Sequence, residues 1–247
     1  MPRMAPIAER WFPKPQRLQV TPGMHRFVWD LAWGGPGADK SAADSGDEER
    51  RPPHGPRVIP GTYQARLTVD GQTFTQPLRI VMDPRSSATP TVLQQQQEIG
   101  LSIYADTMRS RQAVAEIQSV QKELKSMHTG LEKHPELAAK VSHLELSIQN
   151  IVAGDKAKGS TNVIGLGAAN TGLASALRVV ESGDRTIPVQ ALELFQQSSA
   201  AMNRRIQQWQ KLKSTDLHQL NQRLKQQHLA TLQISKIEEE VVYQMTR

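Results

Sequence analysis

Apolar residues follow two different periods along the chain. Between residues 60 and 83 they fall on every second position, which is the period of a β-strand with one buried face. From residue 89 onward they recur at steps of three and four, which is the period of an amphipathic helix. The change of period predicts an α+β protein with a β-rich domain over 1–85 and a helical domain over 86–247.

The β-rich part predicts a hairpin. Asp70-Gly71 lies between two alternating runs, and such a pair is a strong signal for a two-residue turn. Pro60-Gly61 precedes the first run, and Asp83-Pro84 ends the second. The predicted apolar face consists of Tyr63, Ala65, Leu67, Val69, Phe74, Leu78, Ile80 and Met82.

A third strand is predicted over 24–33, where Phe27, Trp29, Leu31 and Trp33 alternate with other residues and are expected to form a buried face. A short segment over 18–20 could add another strand. Residues 34–60 are rich in Gly, Pro and charge, which predicts a flexible loop. The acidic cluster over 44–51 does not have the spacing of a calcium-binding EF-hand, and we interpret it as part of that solvated loop.

The helical part contains three prolines at helix starts. Pro90, Pro135 and Pro188 are each followed by a helical pattern, and proline is favoured at the first helical position. The first helix is predicted to run to about Met127. The core-facing stripe predicted for the first helix consists of Ile117, Val120, Leu124, Met127 and Leu131. The stripe of the helix from Pro135 consists of Leu137, Val141, Leu144, Ile148 and Ile151. The stripe of the helix from Pro188 consists of Leu192, Phe195, Ser199, Met202, Ile206 and Trp209.

Two further helices complete the helical prediction. A short one carries Leu173, Leu177 and Val180 and ends at Gly183. A fifth is expected to begin at a cap formed by Ser214 or Thr215, with a less regular continuation to Val241. Short connections favour antiparallel neighbours, so these helices predict an antiparallel bundle with one longer loop over 153–169. The apolar stripe of the fifth helix consists of Leu217, Leu220 and Leu224.

Composition narrows the possible chemistry. The 247 residues are 38% hydrophobic and 22% charged, which is enough apolar material for a substantial core. The sequence has no Cys, which excludes disulfides, thiolate metal sites and Cys nucleophiles. The seven His residues include no pair at the spacing that places two ligands on one helix face. No signal peptide or membrane-spanning helix is predicted.

The net charge of +6 raises the question of nucleic-acid binding. Residues 1–89 contain 12 basic and 9 acidic residues, and residues 90–247 contain 18 and 15, so neither part has a concentrated basic block. Arg204, Arg205, Lys211 and Lys213 form the densest group, and we expect them to be the solvated face of one helix. A nucleic-acid partner is therefore not favoured.

The sequence contains three other features that could form a site. Residues 163–170 resemble a dinucleotide-binding turn, but Asn170 stands at the third glycine position and no βαβ unit surrounds it, so we predict a flexible loop. Trp209 continues a helical stripe and is expected in the core rather than at a sugar site. No pair of carboxylates is singled out for glycosidase chemistry. We predict no catalytic, cofactor-binding or metal-binding residue.

A series of short motifs resembles one known family. In order they are Gly23-Met24-His25-Arg26-Phe27-Val28-Trp29-Asp30-Leu31, Pro60-Gly61-Thr62-Tyr63, Asp70-Gly71, Gln76-Pro77-Leu78 and Met82-Asp83-Pro84-Arg85. They resemble the C-terminal region of bacterial sortilin-like, BNR-repeat propeller proteins, many of which are labelled glycosyl hydrolases. The module is also similar to the immunoglobulin-like domain of the flagellar hook cap. The resemblance extends over residues 173–224, and the chain departs from it after Gln227.

The resemblance implies an immunoglobulin-like β-sandwich over 1–85, followed by the helical bundle. In such modules one or two further strands precede the strand that corresponds to 24–33. Here only a Pro-rich segment of about twenty residues precedes it, so the sandwich is expected to be incomplete. The implied function is a non-catalytic accessory region whose partner is the propeller or another protein. The alternatives are the substrate side of a secreted glycosyl hydrolase and an independent helical scaffold that binds protein or nucleic acid. A secreted or periplasmic location is implied.

Overall fold

The structure is a computed structural model that describes residues 21–33, 55–132, 134–155 and 163–232. The predictions for 18–20, for most of the 34–60 loop with its acidic cluster, and for the continuation to Val241 lie outside these residues. The chain divides into two compact units, Met1–Val58 and Ile59–Arg247. The described elements are mainly helical with short antiparallel sheets, so the fold class is α+β.

The tryptophan-containing segment of the first unit is not the strand that the alternation predicted. Leu31 has a φ of 61°, and the Asp30 side chain accepts a hydrogen bond from the Ala32 amide at 3.1 Å. This turn interrupts the alternation, and residue 32 makes only an isolated bridge with residue 57. The prediction of a buried face was wrong, because Phe27 and Leu31 are 47% and 41% exposed. Trp29 and Trp33 are half-buried.

The hairpin prediction is confirmed. Strands β1 (Gly61–Val69) and β2 (Gln72–Ile80) pair antiparallel along their whole length. Asp70 and Gly71 both have positive φ, at 49° and 78°, as a two-residue turn between right-twisted strands requires. The strands make their principal contacts with each other.

The first two helices lie where the sequence predicted them. Helix α1 spans Pro90–Met127, and the Thr89 side chain caps it by accepting a hydrogen bond from the Val92 amide at 3.3 Å. Helix α2 spans Pro135–Ala153, and all five residues of its predicted stripe are buried.

The third helix begins earlier than predicted. Residues Gly154–Asp155 (β3) and Val163–Ile164 (β4) form a small antiparallel ribbon, and helix α3 spans Leu166–Val180. The prediction of a flexible loop over 163–170 was therefore wrong, and so were both ends of the longer loop predicted over 153–169. The first turns of α3 contain small residues that obscured the helical period in the sequence. Its buried residues are Leu166, Ala169, Leu173, Ala176, Leu177 and Val180.

The last two helices are continuous. Helix α4 (Val189–Leu212) leads through a π-helical turn (Lys213–Leu217) directly into helix α5 (His218–Gln226). The predicted cap at Ser214 or Thr215 was wrong, because both hydroxyls donate back to the Lys211 carbonyl, at 3.0 and 2.8 Å. The helix therefore does not restart after residue 213.

The buried stripe of α4 differs from the prediction. Met202 and Trp209 are buried as expected, whereas Leu192, Phe195 and Ile206 are only partly buried. Small side chains lie at the centre of the contact, because α3 approaches closely there: a Cβ added to Gly172 would overlap the Ser198 side chain. The buried residues of α4 are Ala191, Ser198, Ala201, Met202, Arg205, Trp209 and Leu212.

The helices share one hydrophobic core. Helix α3 packs against both α1 and α4, and α2 contacts α1, α3, α4 and α5. The largest buried apolar side chains in this core are Ile103, Ile117, Leu124, Ile148, Leu166, Leu173, Met202, Trp209, Leu217, Leu220 and Leu224.

Candidate functional site

One face of the hairpin is apolar and exposed to solvent. The register places Tyr63 opposite Leu78 and Leu67 opposite Phe74, so the alternating residues of both strands share one face. Leu67, Phe74 and Leu78 are 52%, 57% and 39% exposed. In an antiparallel sheet, the apolar residues of one face normally pack against the hydrophobic core. The sequence therefore predicted which residues form the face, and in the structure Leu67, Phe74 and Leu78 are exposed.

Tyr63 anchors the start of this face. Its hydroxyl donates a hydrogen bond to the Ile59 carbonyl at 2.6 Å, four residues upstream. Partial burial raises the pKa of the Tyr63 hydroxyl, so the group remains a neutral donor. The bond fixes the Pro60-Gly61 entry into β1, and the sequence motif gave no direct sign of it.

The opposite face of the hairpin is polar and basic. Arg66 lies opposite Thr75, and Arg79 lies opposite Thr62. The hairpin contains no acidic residue except Asp70 in the turn. Within the described part of the chain, neither arginine forms an ion pair. The face therefore presents two positive charges to solvent.

A compact turn follows β2. Asp83 accepts hydrogen bonds from the Arg85 side chain through both carboxylate oxygens, at 3.0 and 2.8 Å, and from the Arg85 amide at 2.9 Å. The Arg85 guanidinium and amide together hold the pKa of the Asp83 carboxyl below its ordinary value. This arrangement accounts for the Asp-Pro-Arg motif as a local turn between the hairpin and α1.

The glycine-rich segment 163–170 has a packing role. Gly165 is the extended residue that precedes α3, and a Cβ there would overlap the backbone of Ala153 and Gly154. Close approach of two backbones accounts for glycine at this position without a bound phosphate. The segment consists of strand β4, Gly165 and the first residues of α3, and β4 pairs antiparallel with β3, which is not the βαβ context of a dinucleotide site.

Arg205 was wrongly assigned to a solvated basic face. The residue is 2% exposed, and its Nε donates to the Ile164 carbonyl at 3.1 Å while Nη1 donates to Gln208 Oε1 at 2.9 Å. It joins α4 to the ribbon before α3. Arg204 and Lys211 are exposed as expected. The prediction for Lys213 was wrong, because its side chain is only 19% exposed and pairs with Glu116. The loss of Arg205 from this surface reduces the basic group that a phosphate backbone could contact.

A polar network joins α1 to the π-helical turn. Glu116 Oε2 accepts hydrogen bonds from Trp209 Nε1 at 3.0 Å and from Lys213 Nζ at 2.6 Å. The Lys213 ammonium also lies 5.6 Å from the centre of the Trp209 ring, within cation–π range. The side chains of Glu116 and Lys213 are only 13% and 19% exposed. Every polar atom named here has a partner, so the network is a structural cross-link.

A second cross-link joins the same two helices nearer the start of α4. Ser199 Oγ donates to Asp106 Oδ2 at 2.5 Å, and Arg109 contacts both Asp106 and Asn203, at 3.3 and 3.1 Å. The hydroxyl is paired with a carboxylate and lacks the histidine base of a nucleophilic triad in this set of contacts. The geometry is that of a helix-to-helix hydrogen-bond network.

The described residues contain no group of three or more His, Asp or Glu side chains placed to hold a metal ion. None of the helices in the described ranges has both the length and the apolar character needed to cross a membrane. A scan against protein-family models and searches of curated proteins and of solved structures found no match to the chain. The exposure of aligned apolar side chains on the hairpin makes this face the candidate functional surface.

Proposed function

We propose that this chain is a non-catalytic accessory region of a sortilin-like BNR-repeat protein, and that it binds the propeller through the apolar face of the hairpin. The observation that carries the proposal is the exposure of Leu67, Phe74 and Leu78 on one aligned face. Apolar residues that are aligned but uncovered are typical of contact surfaces. The motif resemblance supplies the identity of the partner.

The same proposal includes an immunoglobulin-like module and a helical bundle. The hydrogen bond from Tyr63 to the Ile59 carbonyl supports the first part, because immunoglobulin-like domains have a tyrosine at the start of a strand that bonds to the backbone a few residues upstream. The shared core of α1, α2, α3 and α4 supports the second part. In this proposal the propeller covers the apolar face that the hairpin leaves exposed.

A binding experiment with matched variants tests the proposal. The chain is titrated calorimetrically with a sortilin-like BNR propeller encoded in the same genome. The variant L67T/F74T alters one cross-strand pair on the apolar face, and T68V/T73V alters the adjacent pair on the polar face. Leu67 and Phe74 are about half exposed, so covering them contributes about 1 kcal/mol each, and L67T/F74T should weaken binding by about 25-fold.

The control T68V/T73V should bind like the unmodified chain, and bound propeller should raise the Tm. Absence of binding by the unmodified chain would contradict the choice of partner. Equal binding by L67T/F74T and the unmodified chain would show that the hairpin face is not the contact.

A further inference from the structure

The two edges of the hairpin differ in their ability to pair with another strand. The two-residue turn makes Val69 and Gln72 a hydrogen-bonded pair, and such pairs recur at every second position of an antiparallel ladder. Gln64 and Pro77, five pairs away, are therefore a non-hydrogen-bonded pair whose backbone groups point away from the hairpin. Pro77 has no N–H to offer, so the outer edge of β2 is interrupted.

The outer edge of β1 has no such interruption. Its outward-pointing backbone groups belong to Thr62, Gln64, Arg66 and Thr68, and each of these residues has an N–H. Among the described residues the sheet contains β1 and β2 alone. A strand edge of this kind is a template for pairing with another extended segment.

Charge indicates which segment fits. A strand added to β1 places alternate side chains beside Arg66 on the basic face and beside Leu67 on the apolar face. Opposite charges across neighbouring strands stabilise pairing, and like charges oppose it. Pairing with β1 of a second copy places two Arg66 side chains on the same face, which disfavours self-association.

We propose that the outer edge of β1 binds an extended segment of a partner protein in which apolar residues alternate with Asp or Glu. This inference rests on the proposed function, because it gives the chemistry of the partner segment at the same hairpin. The acidic side chains of that segment pair with Arg66, and its apolar side chains extend the face of Tyr63 and Leu67.

The probe is a nine-residue capped peptide in which Val and Glu alternate, matched in length to β1. Control peptides replace Glu by Lys or carry one central Pro. We expect binding of the Val–Glu peptide, measured by fluorescence anisotropy, and at least about tenfold weaker binding of both controls. Binding should slow hydrogen exchange of the Gln64 and Arg66 amides.

Variants of the chain test the edge itself. Q64P removes an outward N–H and should weaken Val–Glu peptide binding by at least about tenfold, whereas P77V changes the residue directly opposite and should retain it. R66E leaves every backbone group in place and should make the Val–Lys peptide the better ligand. Circular dichroism verifies that each variant keeps its helices.

Three results would overturn the inference: Gln64 and Arg66 amides already protected before peptide is added, unchanged binding by Q64P, or equal binding of the Val–Glu and Val–Lys peptides. The outcome is separable from that of the proposed function. Propeller binding without peptide binding removes the edge inference alone, and peptide binding without propeller binding removes the propeller as the partner.

Discussion

Replacement of Glu116 by alanine should destabilise the helical region more than any surface substitution. Glu116 is the common acceptor for Trp209 Nε1 and Lys213 Nζ, and Trp209 is fully buried. A buried donor left without an acceptor costs about 1–3 kcal/mol. Removing one partner of a buried ion pair costs about 3–5 kcal/mol, and residual solvent at Lys213 reduces that figure.

Together these effects predict a loss of about 3 kcal/mol for E116A. For a protein of this size that loss lowers the Tm by about 6–12 °C. E116Q keeps an oxygen that can accept from Trp209 but loses the charge beside Lys213, so its loss should be smaller, at about 1–2 kcal/mol.

Urea and thermal unfolding followed by far-ultraviolet circular dichroism measure these losses. E193A is the matched control, because Glu193 is an exposed residue of α4, and its effect should stay within about 0.5 kcal/mol. In the double variant E116A/K213M the losses should add to less than the sum of the single variants, since the two residues share one contact. A loss below about 1 kcal/mol for E116A would refute the role of the network.

Three further predictions follow from other parts of the chain. G172A should lower the free energy of unfolding by about 1–3 kcal/mol, because the added methyl group forces α3 away from α4. The double variant G172A/S198G should restore most of that loss. An unchanged free energy of unfolding in G172A would contradict the close approach of the two helices. In an NMR titration, Asp83 should have a pKa below its ordinary value, and R85A should raise that pKa. The stabilisation by the Asp83 carboxylate is therefore present above the ordinary pKa and is lost as pH falls through the lowered pKa. Equal Asp83 pKa values in R85A and the unmodified chain would contradict Arg85 as the cause. Limited proteolysis should cut within residues 1–85 before α1–α4, and survival of a fragment over 20–85 after loss of the helices would contradict the greater stability of the helical core.

The elements that could be predicted from sequence are those fixed by local rules. The hairpin follows from Asp70-Gly71, and α1 follows from Thr89 and Pro90, because turn and cap geometry depend on a few adjacent residues. The stripe of α2 was also predicted correctly, since large aliphatic residues repeat there without interruption.

The errors arose where tertiary contacts decide burial. In α4 small residues such as Ser198 form the contact with α3. The prediction relied on large apolar residues and therefore placed the buried stripe on a neighbouring face of the helix. Arg205 is buried because the Ile164 carbonyl and Gln208 supply acceptors for its guanidinium, and Ile164 lies 41 residues away in the sequence. The predicted strand over 24–33 failed because Asp30 and Leu31 form a turn within it.

The candidate site could be predicted only in part. Alternation identified the residues of the apolar face, because register follows from the turn. Exposure of that face depends on whether another layer of the protein lies on it, and the sequence indicates it only through the family resemblance, which implies a sandwich that lacks strands. The bond from Tyr63 to Ile59 was missed for a similar reason: the sequence places the tyrosine at the start of β1 but does not show where its hydroxyl points.

The asymmetry of the hairpin edges supports the proposed binding surface. A two-stranded hairpin is marginally stable in water without a further layer or strand. A hairpin that only had to avoid aggregation would gain from interruptions on both edges, and Pro77 supplies one on β2 alone. Among the described residues no strand pairs with the outer edge of β1, where Gln64 and Arg66 have N–H donors beside the exposed Leu67 and Phe74. One blocked edge, one open edge and one uncovered apolar face together favour a partner that approaches from the β1 side.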